Sequence, residues 1–306
     1  MQEVIVSGAN SFVGSAVVKK LLLHGIKVKA LCRLGRTANL PQHENLSVVL
    51  FDMTKIDELN LSKKKYDAFY HFAWVGGTDV DNRGNYSLQL QNAQWTLELL
   101  KKAADIGCQR FIVAGSIMEK ESILASLKSG NKPGMGYIYG AGKLAAHLMA
   151  QSLAVKLGIP LIWGLITNAY GKGEISTRLI NTTIRKCIHG CAPQFTSATQ
   201  NYDFIYIDDV AEAFYCLGEK GRPFTEYVVG SGSPRPLKEF LLELQAVISP
   251  DLPFNFGSIP YTGVNMPLKF FDTRQLCEDT GFETKVTFGE GVRKTYDWLI
   301  KEKMND

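Results

Sequence analysis

No stretch of this chain stays apolar for long. The longest run, Ile159 to Ile166, is less than half of the roughly 20 residues that a membrane span needs. Met1-Gln2-Glu3-Val4-Ile5-Val6 lacks the basic segment and following apolar stretch of a secretory leader. A cytoplasmic protein with no membrane partner is therefore expected. Cysteine is sparse: Cys32, Cys108, Cys187, Cys191, Cys216 and Cys277 are scattered over 306 residues, which fits reduced, mostly buried thiols rather than a disulfide framework. Cys187 and Cys191 enclose His189, but the spacing is not a usual zinc pattern and no second cluster completes a site. They read as two thiols on one helix face, and no metal is expected. Charge of one sign is missing too: 34 basic residues face 30 acidic ones, interleaved along the chain, so nothing marks a nucleic-acid surface. The densest basic run, Ser62-Lys63-Lys64-Lys65, reads as a solvated loop.

What is present is a folded chain's composition, 45% hydrophobic and 21% charged, too apolar for disorder. The first half alternates short apolar runs with helical patterns. Val4 to Val6, Lys27 to Leu31, Leu46 to Phe51, Ala68 to Phe72, Phe111 to Ala114 and Pro160 to Ile166 read as six strands. Ser15 to His24, Leu88 to Ile106 and Leu144 to Leu157 read as helices between them. Continuous apolar strands are what a parallel sheet covered on both faces requires, so a doubly wound, Rossmann-like α/β sheet is expected.

The alternation loosens after Gly171. Ser176 to His189 looks helical and Cys191 to Asn201 irregular. Phe204 to Ile207, the helix Asp208 to Leu217 and the strand Tyr227 to Val229 read as more of the first lobe. A helix to Val247, a Pro- and Gly-rich stretch to Pro267 and a terminal helix Gly289 to Lys301 follow. The expected division is a dinucleotide-binding domain of residues 1–170 with 203–232, and a smaller, discontinuous substrate lobe of 171–202 with 233–306.

Gly8-Ala9-Asn10-Ser11-Phe12-Val13-Gly14 follows the first strand and opens the first helix. Such a turn presents backbone N–H groups and a helix N-terminus to a pyrophosphate. The second strand ends in Leu31-Cys32-Arg33-Leu34-Gly35-Arg36, without the carboxylate that NAD enzymes generally place against the adenosine ribose. Arg33 and Arg36 suit a 2′-phosphate through bidentate, charge-assisted bonds, so NADP is favoured over NAD.

Tyr139-Gly140-Ala141-Gly142-Lys143 carries Y-x-x-x-K spacing. Residues four apart share a helix face, so the ammonium is expected beside the phenol, lowering its pKa and enabling proton transfer at a carbinol oxygen. Tyr137 competes as a phenol, but Ala141 stands four residues on. Ser116 closes the fifth strand.

Together these motifs resemble the extended short-chain dehydrogenase/reductase family, in its nucleotide-sugar epimerase, dehydratase and reductase group. Gly8 to Gly14 resembles the family's G-x-x-G-x-x-G loop, with Ser11 at the middle glycine. The resemblance implies catalytic roles for Ser116, Tyr139 and Lys143. It implies cofactor contacts at Asp52 and Met53, at Phe72, Ala73 and Trp74, and at Asn92, with Ala114 and Ile166 at strand ends beside the cofactor. Asn168-Ala169-Tyr170-Gly171 is similar to the family's N-x-Y-G turn, and Tyr202 to Ala213 to its R-D-F-x-x-V-D-D-V-A-x-A segment. A nucleoside-diphosphate sugar is the implied substrate, and a homodimer the implied assembly.

Two departures qualify the substrate. Tyr202 replaces an arginine that commonly binds the diphosphate, and the usual arginine near Asp272 is missing, which leaves Arg178 or Lys269 as substitutes beside Asn168. After Ser116, Ile117-Met118 replaces the Asp-Glu pair of the 4,6-dehydratases, and Glu119 is out of register for that role, so dehydration is not expected. The leading expectation is a 4-keto-sugar reductase or 4-epimerase. The alternatives are an NADP-dependent reductase of a non-sugar carbonyl and a dinucleotide-sensing regulator.

Overall fold

The structure, a computed structural model, describes residues 1–33, 40–77, 80–261 and 263–305. The N-terminal part alternates as expected: β1 (Glu3–Ser7), α1 (Phe12–Leu23), β2 (Lys27–Cys32), β3 (Leu46–Leu50), β4 (Ala68–His71), α2 (Val80–Gly84), α3 (Tyr86–Asp105), β5 (Phe111–Ser116), α4 (Met118–Leu127), α5 (Gly136–Leu157) and β6 (Leu161–Ile166). It continues through β7 (Asn168–Tyr170), α6 (Leu179–Ile188), β8 (Asn201–Tyr202), β9 (Phe204–Tyr206), α7 (Ile207–Lys220), β10 (Thr225–Val229), β11 (Arg235–Pro236), α8 (Leu237–Ile248), α9 (Arg274–Thr280) and α10 (Phe288–Asn305).

Seven strands form one parallel sheet in the order β10-β6-β5-β4-β1-β2-β3. This is the Rossmann-like arrangement expected from the apolar runs. Strand order reverses between β1 and β4, which opens a crevice at the C-terminal strand ends where α/β proteins bind ligands. Val4 to Ser7 of β1 and all of β4 are buried, because helices cover both faces. On one face α1 packs with α7, and on the other α3 packs with α5.

The first of these layers runs without a break into the C-terminal region. One apolar cluster joins Val17 and Leu21 of α1 to Phe214 and Leu217 of α7, and then to Phe240, Leu276, Phe288 and Val292. Tyr170, Phe204, Phe240 and Phe288 meet edge-to-face or tilted at its centre.

Three parts of the sequence expectation change. Phe204 to Tyr206 does not join the main sheet; β9 pairs in parallel with β7, beneath the cleft. The short helices α2, α4 and α9 were not expected. Cys187 is buried in α6, whereas Cys191 is exposed beyond that helix's end, so the two thiols do not share a helix face.

Candidate active site

At the switch point the chain turns from β1 into α1 with almost no room. Gly8 sits at φ +67°, and a Cβ there would lie 2.5 Å from the Ala73 nitrogen. A Cβ on Gly14 would lie 2.1 Å from the Gly8 carbonyl oxygen. Only glycine allows both the left-handed backbone and this close approach. Ser11 is the N-cap of α1, its Oγ accepting from the Gly14 N–H at 3.0 Å. The serine at the middle position therefore substitutes a cap for a glycine without blocking the turn. No acidic residue occupies the first turn of α1, and Phe12 and Val13, whose amides belong to the unpaired start of the helix, face the cleft.

That cleft is one continuous cavity of about 1280 Å³. Gly8, Asn10, Ser11, Phe12, Val13, Arg33, Asp52, Met53, Phe72, Ala73, Trp74, Ala114 and Ile166 line it at one end. Ser116, Tyr139, Lys143, Asn168, Arg178 and Tyr202 line the rest. Asp52 also caps the short 3-10 helix Met53–Glu58, accepting from the Thr54 N–H at 2.9 Å. A glycine turn that no Cβ would tolerate, an acid-free helix start and a long crevice fit a dinucleotide.

Other expected residues lie elsewhere. Gly14 packs against Gly8 rather than facing the cavity. Asn92 is fully buried and ties the Phe72–Val75 segment to α3: its Oδ1 accepts from the Val75 N–H at 2.8 Å, and its Nδ2 donates to the Val75 and Leu88 carbonyls. It holds the wall of the cavity without lining it. Lys269 is exposed, 5.6 Å from the Phe270 ring centroid, and does not reach the cavity. Arg36 lies outside the described residues. Arg274 spends its guanidinium on Asp272.

Tyr139 and Lys143 do share a face of α5, and the Ser116 hydroxyl stands by the phenol, favouring its ionised form, while its Oγ accepts from the Met118 N–H at 3.3 Å. The expected electrostatics are not what the geometry provides. The Lys143 Nζ donates to the Ala114 carbonyl at 2.8 Å and lies 3.8 Å from the Trp74 ring. Burial pushes Lys143 down to about 7, with the Glu119 charge opposing. Burial also raises the Tyr139 pKa, and the opposing cations are Arg83 and Arg178, not Lys143. Arg83 lies with its Cζ 4.5 Å from the Tyr139 ring centroid. Tyr137 is already engaged, donating to Glu121 at 2.9 Å and accepting from the Val264 N–H at 3.0 Å.

Sequence reasoning missed Arg83 altogether. It stands on α2, 56 positions before Tyr139, in a segment with no periodic signal. Its Nε is buried without a hydrogen-bond partner, and its guanidinium faces the cavity beside Arg178, Glu121 and Tyr202. The cations at this end of the cavity thus come from α2 and the start of α6, near Tyr202. Among the described residues, no group of three or more His, Cys, Asp or Glu is placed to hold a metal, and no helix is long and apolar enough to cross a membrane.

A glycine turn on a Rossmann-like sheet, leading to a Ser–Tyr–Lys triad in the same cavity, defines an NAD(P)-dependent enzyme of the short-chain dehydrogenase/reductase type. Residues 4–230 match the NAD dependent epimerase/dehydratase family, and the chain belongs to that family. Among its relatives, dTDP-D-glucose 4,6-dehydratase of Mus musculus is 24% identical over 335 residues, covering 99% of this chain and 90% of that protein. The trifunctional UDP-glucose 4,6-dehydratase/UDP-4-keto-6-deoxy-D-glucose 3,5-epimerase/UDP-4-keto-L-rhamnose-reductase of Arabidopsis thaliana is 24% identical over 98% of this chain, which spans only 47% of that protein. Of solved structures, UDP-N-acetylglucosamine 4-epimerase from Methanobrevibacter ruminantium M1, in complex with UDP-N-acetylmuramic acid, superposes with a TM-score of 0.82 at 21% identity, covering 99% of this chain and 100% of that one.

Proposed function

We propose that this enzyme moves a hydride at a carbinol or keto carbon of a nucleoside-diphosphate sugar, as a 4-keto-sugar reductase or a 4-epimerase. The observation that carries the reading is that Ser116, Tyr139 and, one turn along, Lys143 line the wall of one cavity whose other end suits a dinucleotide. A nicotinamide dinucleotide held there supplies or accepts the hydride. In reduction, the Tyr139 phenol donates its proton to the substrate oxygen as that oxygen becomes a hydroxyl; in oxidation it takes the proton back. The Ser116 hydroxyl holds the same oxygen. Arg83 and Arg178, the cations that oppose the burial of Tyr139, favour its phenolate and therefore its proton transfer. Ile117 and Met118, following Ser116, have no proton to move, which argues against dehydration even though relatives carry that name.

NADP is the proposed cofactor, because Arg33 lines the cavity and no carboxylate ends β2. A preference for NADP favours net reduction, since an epimerase must retain and recycle NAD. The smaller lobe of 171–202 with 233–306 is proposed to hold the diphosphate, with Arg178 and Asn168 as contacts. Tyr86 and Leu90 of α3 and Leu148 and Val155 of α5 are exposed, which supports a homodimer through those two helices, to be checked by light scattering.

Screening nucleotide sugars with NAD+ and NADP+ by melting temperature tests the reading, since only ligands of the folded state raise it. NADP+ and a nucleotide sugar should each raise Tm. Tightly held NAD that survives turnover would leave the epimerase and remove the reductase.

A further inference from the structure

Behind the triad lies a buried carboxylate that the proposed chemistry does not use. Glu119, on the first turn of α4, is 1% exposed. Its Oε1 accepts from the Ser116 backbone N–H at 2.8 Å and from the Trp163 indole N–H at 3.2 Å, and its Oε2 lies 2.9 Å from His147 Nδ1. His147 is itself buried, stacked flat on Trp163 with centroids 4.3 Å apart, and its Nε2 meets Gln151 at 3.2 Å. A buried carboxylate is costly unless it is well bonded, so this arrangement is a built one. It also continues the catalytic face: Tyr139, Lys143, His147 and Gln151 stand four apart along α5.

We propose that Glu119 is a positioning residue for this reaction, its carboxylate fixing the Ser116 backbone from the α5 side of the sheet, one helical turn beyond Lys143 at His147. This rests on the roles assigned above to Ser116, Tyr139 and Lys143. The groups that face Lys143 are few. His71 on β4 is driven neutral by burial, down to about 3, and the Trp74 ring and Ala114 carbonyl are uncharged. Around Glu119 the charged and titratable neighbours are His147, Lys143 and Tyr139 on α5, with the Lys120–Glu226 pair (3.0 Å) beyond, its Glu226 Oε2 3.7 Å from His147. Among the described residues, Glu119 is the charge that raises Lys143 against its burial. Without it, the ammonium is lost at lower pH.

The test is a titration of the Lys143 side chain by carbon-13 NMR in the full-length protein with lysine labelled at Cε, its resonance assigned with Lys143→Arg. Glu119→Gln should lower the Lys143 midpoint by about one pH unit or more, the scale of a close opposite charge, and Glu119→Asp should restore most of the shift. Where a substrate is in hand, the alkaline limb of kcat should move down with it while KM changes little. An unmoved Lys143 midpoint in Glu119→Gln overturns the proposal, even if Tm falls. Should that variant not fold, the carboxyl resonance of Glu119 in wild-type protein labelled at glutamate Cδ decides: an ionised group at pH 7 is required, and a protonated one contradicts it. Failure of the hydride-transfer reading itself would show separately, as full turnover in Tyr139→Phe with the Lys143 titration unchanged.

Discussion

The two ends of the cavity are built on different principles. The end proposed for the dinucleotide is made of backbone: a turn between β1 and α1 whose glycines admit no Cβ, and a helix start without acid. The end proposed for the substrate is made of side chains that converge from separate elements, with Arg83 on α2, Glu121 on α4, Tyr139 on α5, Arg178 before α6 and Tyr202 on β8. A backbone-built site leaves a contiguous motif, whereas a convergent one leaves single residues far apart in sequence. The first can be read from seven residues; the second needs the fold.

Substitutions should separate the ends cleanly. The largest effect is expected at the triad: Lys143→Met should cut turnover by about 10²–10⁴-fold in steady-state assays, leaving nucleotide-sugar binding nearly intact. Gly8→Ala should act on the other end. Its left-handed backbone and the 2.5 Å approach to Ala73 predict a loss of about 1–3 kcal/mol of stability, read as a lower Tm, together with weakened dinucleotide binding by fluorescence titration. Arg83→Gln removes a buried guanidinium from the substrate end and should raise KM for the nucleotide sugar by about 10–100-fold, with dinucleotide affinity unchanged in the same titration. If Arg83→Gln weakened the dinucleotide instead, the division between the ends would fail. The smallest effect is expected at exposed Arg33: Arg33→Ala should cost NADP+ about tenfold in affinity, roughly 1.4 kcal/mol, and leave NAD+ as it was.

The same contrast explains what could be read in advance. β1, β2, β4, β5 and β6 announced themselves because strands buried on both faces are continuous apolar runs, and α1, α3 and α5 because each buries a recurrent apolar or small-residue face. α4 gave no such signal, since its buried residues are Glu119 and Ala125; a helix that points a carboxylate inward shows no apolar period. β9 was legible as a buried strand but not as a partner of β7, because an apolar run records burial and not which sheet receives it. At the site, Tyr139, Lys143 and Ser116 were legible through spacing and strand-end position. Their electrostatics were not. Spacing along α5 put Lys143 near Tyr139, yet the ammonium turns to the Ala114 carbonyl and Trp74, and the cations that act on the phenol come from α2 and the start of α6. Asn92 shows the converse: its place in the long helix was correct, while its hydrogen bonds go to the backbone of Val75 and Leu88.

The most direct measurement compares wild type with Tyr139→Phe, supplying nicotinamide dinucleotide deuterated at the transferring position together with a 4-keto nucleotide sugar. The wild type should place deuterium on the sugar carbon, and Tyr139→Phe should bind both ligands but transfer label at least about 10²-fold more slowly. Deuterium transfer at an undiminished rate in Tyr139→Phe, or product formed by the wild type without label on that carbon, would contradict the account.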